Sequence, residues 1–268
     1  MVKIIAEIGV NHGGDVSTAI HMIDAAKKCG ADAVKFQMFD SEKLEAPGDR
    51  REMLKGLEFG HYELQMLYNH CFMEDIEFMC TPFDVDSLKF LVGIGMKSVK
   101  IASGNLNNFE LLNAAKETGL PIYLSTGGAE YHEIVACMLS MRPAPITLMH
   151  CTSAYPCPPE DVNIRALLEI MDLAPKYGYS DHTNGDVAAI MAVALGASVI
   201  EKHFTTERGS GPDHEMSMMS NRFMGFVDNL RVAEAMKGDG EKRIMPSETL
   251  AVEVMDQRRL WREGVHTG

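Results

Sequence analysis

Residues 177–205, YGYSDHTNGDVAAIMAVALGASVIEKHFT, hold the pattern that decides the fold. Tyr177–Thr183 is a short strand-like run that closes on polar residues. Behind the acceptor side chain of Asp186, Val187–Leu195 carries apolar residues three and four apart, as an amphipathic helix does. Ser198–Thr205 is a second strand-like run, rich in Val, Ile and Phe at its centre. Strand, helix and strand in about 30 residues is the parallel crossover unit.

The same unit recurs outward in both directions. Strand candidates are Lys3–Val10, Asp32–Phe39, Glu77–Pro82, Ser98–Ser103, Pro121–Thr126 and Ile146–Ser153, besides the two above. Helical periodicity marks Ser17–Cys29, Tyr62–Asp75, Phe109–Thr118 and, after the eighth strand, Phe223–Met236. Several of these start behind Asp15, Asp84 or Asn108 and stop at Gly30, Gly95 or Gly119, which are cap and stop signals. Eight strands alternating with helices over about 240 residues fit a (β/α)8 TIM barrel. An open doubly wound sheet is the competing architecture. The chain has no early glycine-rich nucleotide turn and no break in the alternation, and both facts favour closure. Residues 1–240 are read as the barrel and 241–268 as a C-terminal arm or docking helix, with a helix near Thr249–Arg259 behind Pro246.

Composition excludes several function classes. The 268 residues carry 25 basic against 38 acidic side chains, a net charge of −13, which argues against broad binding to nucleic acid or an anionic membrane. Nothing approaches the roughly 18 apolar residues of a membrane span, and the N-terminus lacks a signal-peptide layout. Cys29, Cys71, Cys80, Cys137, Cys151 and Cys157 include no C-x-x-C pair, so reduced buried thiols and a cytoplasmic setting are expected.

In a parallel barrel the catalytic groups stand at the carboxyl ends of the strands. Those ends are polar here: Glu7, then Asn11 and His12; Lys35 and Gln37; Thr81; Lys100 and Ser103; Ser125; His150 through Ser153 to Tyr155; Ser180 to Thr183; and Glu201 with His203. Lys35 and Lys100 among the hydroxyls of Thr81, Ser103, Ser125 and Ser180 suit a phosphate or phospho-carboxylate. The bland alternative pairs each lysine with a barrel carboxylate, Glu7 or Glu201. His182 and His203 end neighbouring strands and can converge on a borderline divalent metal such as Mn, Fe, Co or Zn. His12, His150 and His214 are weaker candidates for the same pocket. Glu7 and Asp213 stand where proton transfer is needed, although Glu7 could instead serve Lys35, and Asp213 could belong to a plain glycine-rich turn. Lys202 alternates with its neighbours and should point away from the mouth.

These same residues resemble the sialic acid synthase, or N-acetylneuraminate synthase, family. The matching stretches are IAEIGVNHGGD (5–15), ADAVKFQMF (31–39), CTPFD (80–84), VKIASGNLNN (99–108), LSTGG (124–128), HCTSAYPCPPEDVN (150–163), GYSDHT (178–183) and EKHFTTERGSGPDHEMSM (201–218), all in family order. The resemblance implies that Lys35, Thr81, Lys100, Ser103, Ser125 and Ser180 hold phosphoenolpyruvate. It implies that His182 and His203 hold a divalent metal, usually Mn2+, with Mg2+ or Co2+ as substitutes. It places Glu7, Gln37, Tyr155 and Asp213 around an open-chain acceptor sugar, expected to be an N-acetylated aldose, which condenses with phosphoenolpyruvate to a nonulosonic acid plus phosphate.

Three departures bear on the acceptor side. Asn105 stands where the family commonly has an acid, and Ser153 where many sialic acid synthases have asparagine. The matching stretches also include no antifreeze-like domain, so a separate polypeptide supplying it, or a homodimer through barrel helices or the arm, is an expected partner. The alternatives to a synthase are a non-catalytic relative that binds a sugar or a partner, and a metal-dependent hydrolase of sugar phosphates.

Overall fold

The computed structural model of the chain describes residues 1–209 and 211–263. In chain order the elements are β1 (Lys3–Gly9), α1 (Val16–Lys28), β2 (Ala33–Met38), α2 (Ser41–Leu44), α3 (Asp49–Lys55), α4 (His61–Met73), β3 (Glu77–Pro82), α5 (Val85–Gly93), β4 (Val99–Ile101) and α6 (Phe109–Glu117). There follow β5 (Ile122–Ser125), α7 (Tyr131–Ser140), β6 (Ile146–His150), α8 (Leu167–Ile170), β7 (Lys176–Asp181), α9 (Val187–Ala194), β8 (Val199–Thr205), β9 (Met218–Met219), α10 (Ser220–Lys237) and α11 (Thr249–Arg262). The hydrogen-bonded order is β3-β2-β1-β8-β7-β6-β5-β4, every pair parallel, and β3 and β4 lie against each other to bring the sheet round into a nearly closed TIM barrel. β9 adds a short parallel pairing to the end of β8.

Side chains alternate across a strand, so each strand serves two cores. Ile4, Ala6, Ile8, Val34 and Phe36 point outward and pack under Ala19, Met22, Ile23 and Ala26 of α1, all buried. Each of the larger groups, Ile, Val, Met or Phe, contributes roughly 1.5–3 kcal/mol by leaving water. The opposite rows fill the barrel with a separate apolar layer of Ile5, Ala33, Met79, Met149 and Val199. Helix starts follow the acceptor residues: Asp15 accepts from the Thr18 amide, Asp84 from Ser87 and Asn108 from Leu111. Asp186 is the exception. Its carboxylate makes no cap bond to α9 and instead accepts from Asn229 of α10, 2.9 Å away.

β4 is shorter than expected, because Ser103–Asn105 turn into a 3-10 helix, and β6 ends at His150, leaving Cys151–Ser153 to the following loop. All six cysteines are free and buried. The chain divides into two compact units, the first Met1–Met236 and the second beginning at Lys237, against an expected boundary after residue 240. In the second unit Pro246 opens a 3-10 turn ahead of α11, none of whose residues is buried. Residues 264–268 of the expected arm, like Ser210, lie outside the described residues. Among the described residues, no helix is long and apolar enough to cross a membrane.

Candidate active site

Above the apolar layer, the inward rows of the strands change to polar groups at the carboxyl ends. Strand register sets Glu7 beside both Lys35 and His203, and Ser180 beside Glu201. Lys35 Nζ donates to Thr81 Oγ1 at 2.8 Å and lies 2.9 Å from Glu7 Oε2 and 3.8 Å from Glu201. Lys100 Nζ donates to Ser125 Oγ at 2.7 Å and lies 3.8 Å from Glu201 Oε1, which also accepts from Ser180 at 3.0 Å. Both sequence readings of the lysines are therefore present together. The lysines do pair with barrel carboxylates, yet their hydroxyl partners form the wall of one shared cavity.

Gly127 closes that wall. Its amide donates to Ser103 Oγ at 3.0 Å, and Ser103 Oγ is 3.2 Å from Cys151 Sγ. A Cβ on residue 127 would sit 2.4 Å from Ser153 Oγ and 2.8 Å from Cys151 Sγ, so only glycine lets the loops after β4, β5 and β6 meet.

The other half of the mouth gathers Glu7, Gln37, Asp213 and the two imidazoles. Gln37 Nε2 donates to Glu7 Oε1 at 3.0 Å. Gly9 has φ +54°, and a Cβ there would lie 2.7 Å from Asp213 Oδ2 and 3.3 Å from both Gln37 Nε2 and Glu7 Oε1. The absent side chain and the left-handed backbone together admit Asp213 to the mouth. Ser217 Oγ donates to the Asp213 carbonyl and accepts from Asn11 Nδ2 at 2.7 Å, which ties that loop to the end of β1. The rings of His182 and His203 are 5.6 Å apart, and Tyr155 lies 4.4 Å from the ring of His182. His182 Nδ1 faces the Thr152 carbonyl at 2.8 Å, so Nδ1 carries the proton and Nε2 keeps its lone pair in the neutral ring. His203 Nδ1 is 3.6 Å from Asp213 Oδ2.

Burial and mutual charge set the protonation states. Desolvation drives Glu7 up to about 7, against the pull of Lys35 and with the help of the Glu201 charge. Asp213 rises to about 6, again through burial. Burial also presses on Glu201, but the Lys100 and Lys35 ammoniums outweigh it and hold that carboxyl below its ordinary value. Lys35 is raised because Glu201 and Glu7 overcome its desolvation, whereas burial and the charge of Lys35 win at Lys100, which is lowered despite Glu201. Burial lowers both His182 and His203, the latter strongly, so both imidazoles are neutral at neutral pH.

Two neutral imidazoles suit a borderline divalent cation. His203 Nδ1 and Glu201 Oε2 are among the buried atoms that have no hydrogen-bond partner, an expensive condition that a bound cation or substrate relieves. The residues present fit such a metal. Among the described residues, the one trio of His, Cys, Asp or Glu with donor atoms within 4.8 Å of one another is elsewhere: Asp24, His70 and Glu74, on the outer surface at α1 and the end of α4. There His70 Nε2 is 2.6 Å from Asp24 Oδ1, an ordinary surface hydrogen bond.

Of the residues singled out in the sequence, Glu7, Lys35, Gln37, Thr81, Lys100, Ser103, Ser125, Tyr155, Ser180, His182 and His203 line one cavity, with Asp213 and Ser153 at its edge. Asn105 does not line it: the 3-10 turn swings its amide oxygen onto Asn108 Nδ2 at 3.3 Å. The three weaker histidines are also corrected. His12 stacks on Phe59 at 3.8 Å, His150 faces the Val162 carbonyl, and His214 lines a separate cavity with Arg208 and Arg222. Sequence reading gave Glu201, which links both lysines, only as their alternative partner, and it passed over Gly127 and Cys151, which close or line the cavity. Alternation with His203 marked Glu201 as inward, but nothing local marks the other two.

A family model described as the NeuB family matches residues 22–242. The chain is 40% identical to the N,N'-diacetyllegionaminic acid synthase of Legionella pneumophila, over 90% of this chain and 74% of that protein. It is 34% identical to the human N-acetylneuraminate-9-phosphate synthase, over 91% of this chain and 74% of the relative. Among solved structures, the N-acetylneuraminic acid (sialic acid) synthetase of Leptospira borgpetersenii, crystallised with citrate, superposes with a TM-score of 0.90 at 37% identity, covering 96% of this chain and 92% of that one.

Proposed function

Because the chain belongs to the NeuB family and is a phosphoenolpyruvate-dependent, carbon–carbon bond-forming sugar-acid synthase, we propose that it condenses phosphoenolpyruvate with an open-chain N-acetylated aldose to give a nonulosonic acid and phosphate. One observation carries the reading: two buried lysines with four hydroxyl-bearing partners share a single cavity with two neutral imidazoles. The first group suits a phosphorylated carboxylate, and the second lies across the mouth from it, where an aldehyde has to be polarised.

In this reaction carbon 3 of phosphoenolpyruvate adds to the aldehyde carbon, and the aldehyde oxygen takes a proton to become a hydroxyl. Water adds at carbon 2 and gives up a proton. The carbon–oxygen bond to phosphate then breaks while the carbon 2 hydroxyl passes its proton to the departing phosphate, leaving a 2-keto acid and inorganic phosphate. Lys35, Lys100, Thr81, Ser103, Ser125 and Ser180 hold the phosphate and carboxylate in place while charge moves between them. Glu7, half protonated near pH 7 and hydrogen-bonded to Gln37, is suited to give the proton to the aldehyde oxygen. Asp213, mostly ionised there, is suited to take the proton of water. Tyr155 flanks the imidazoles and borders the sugar. A divalent cation, manganese foremost, held by His182 and His203 would supply Lewis-acid polarisation of the aldehyde. The six free, buried thiols support a cytoplasmic setting.

The test is to incubate the protein with phosphoenolpyruvate, Mn2+ and a panel of N-acetylated and plain aldoses, following phosphate and product mass together. The expected result is a new mass equal to aldose plus pyruvate, matched by released phosphate. Phosphoenolpyruvate that binds yet releases no phosphate with any acceptor would overturn the catalytic reading in favour of a binding relative. Phosphate released from sugar phosphates alone would make the chain a hydrolase.

A further inference from the structure

Behind the mouth, on the outer face of the same two strands, lies an ion pair with no contact to the cavity of the lysines. β7 and β8 set Ser180 opposite Glu201 and Asp181 opposite Lys202. Asp181 directly precedes His182, and Lys202 directly precedes His203. Lys202 Nζ is 2.9 Å from Asp181 Oδ2, and both side chains are 0% exposed. The other carboxylate oxygen, Asp181 Oδ1, accepts from the Thr183 amide at 2.9 Å and from the Thr183 hydroxyl at 2.8 Å. Lys202 also donates to the Thr183 carbonyl.

These bonds tie the residue before His182 to the residue after it, and both to the residue before His203. From the opposite side, the His182 carbonyl accepts from the Cys157 amide at 2.9 Å, and its ring Nδ1 donates to the Thr152 carbonyl at 2.8 Å. The backbone of His182 is thus clamped front and back, and the clamp extends to the neighbouring strand one residue before the second imidazole. Two charges taken out of water are expensive, and a pair of packed apolar residues commonly serves stability as well or better. Stability alone does not account for such a pair, whereas a fixed separation between two ligands does.

We infer that Asp181 and Lys202 are a positioning pair that sets the separation and ring orientation of His182 and His203, and through them the affinity for a divalent cation. The inference rests on the reading of those two histidines as metal ligands. Groups behind a ligand set typically alter metal affinity by about 10–100-fold when removed.

The experiment uses the full chain and Co2+ alone, with no substrate. Affinity and the visible ligand-field band are followed by titration, and the metal-free melting temperature is measured alongside. The first control is the variant H182A/H203A, which is expected to lose the band. Should the wild-type protein show no band, or keep it in that variant, the ligand reading fails and the positioning role fails with it. With the control satisfied, D181L/K202M replaces the pair by apolar groups and removes the side-chain bonds that the pair makes to Thr183. It is expected to stay folded without metal, to bind Co2+ about 10–100-fold more weakly, and to shift the band. A wild-type affinity and band in D181L/K202M would overturn the inference while leaving the ligand reading intact. D181N/K202M, which keeps an oxygen acceptor for Thr183, is the second variant should the first not fold. It too is expected to weaken Co2+ binding, and wild-type binding there would overturn the inference equally.

Discussion

The two ends of the barrel hold the same kinds of groups in opposite conditions. At the amino ends of the strands, Lys3 Nζ lies 2.8 Å from Glu77 Oε1 and 3.2 Å from the Tyr123 hydroxyl, and stands 4.9 Å over the Tyr123 ring. Ser98 Oγ donates to the same Glu77 oxygen at 2.9 Å. At the carboxyl ends, Lys35, Lys100, Glu7 and Glu201 are nearly inaccessible to water, with side-chain exposures of 2–5%, yet Glu201 Oε2 and His203 Nδ1 lack hydrogen-bond partners. The lower cluster is partly exposed and internally satisfied, so it works as a plug. The upper one is dry and unsatisfied, and its open valences belong to something that binds. Charge alone does not distinguish a site from a plug; the unpaired buried atoms do.

Three substitutions break or sharpen this contrast. The largest effect is expected from Lys100→Met, which removes a buried cation from the anion side. The ratio kcat/KM should fall about 100–1000-fold, with the protein still folded by circular dichroism. A loss below threefold would mean that Lys100 belongs to a second plug. Next comes Glu7→Gln. Wild-type kcat/KM should decline as pH falls through about 6, where Asp213 takes up a proton, and again as pH rises through about 7, where Glu7 loses one. The variant should be about tenfold slower near pH 6.5 and lack the upper limb; an unchanged limb would remove Glu7 from proton transfer. The same raised value gives a sign for stability. The contribution of the neutral Glu7 carboxyl is complete below its ordinary 4.5 and is lost as pH rises through about 7, so urea unfolding should show the Gln variant gaining on wild type over that interval. The smallest effect belongs to Lys3→Met. Its pair is partly exposed, at 20% and 29%, so the change should cost at most about 1 kcal/mol in urea unfolding and leave kcat/KM within twofold. Equal losses of activity at Lys3 and Lys100 would erase the distinction between the two ends.

The fold was legible because parallel strands and their helices carry different periods, and the strand limits were missed chiefly where β4 and β6 end early. The same two-residue period made Lys35 with Gln37, and Glu201 with His203, readable as inward pairs. Applied to His150, which stands between the inward Met149 and Cys151, it would have turned that residue outward, as the structure does. What the period cannot supply is register and loop path. That Asp181 meets Lys202 depends on how β7 slides against β8, and that Gly127 meets Ser103 and Cys151 depends on three loops at once. Asn105 shows the same limit from the other side. Two residues beyond a lining serine, it is carried off by one tight turn.

The two faces of β8 also fix how this barrel can vary in length. Glu201 and His203 occupy odd positions and Lys202 an even one, so inserting or deleting a single residue in β8 ahead of Glu201 would send both acceptors of the mouth into the helix layer and bring the lysine inside. A change of two residues would preserve the parity but shift the depth of every group along the axis. Length drift over generations is therefore confined to the connections between strands and helices, and an alignment of distant descendants should show gaps there and none inside β8.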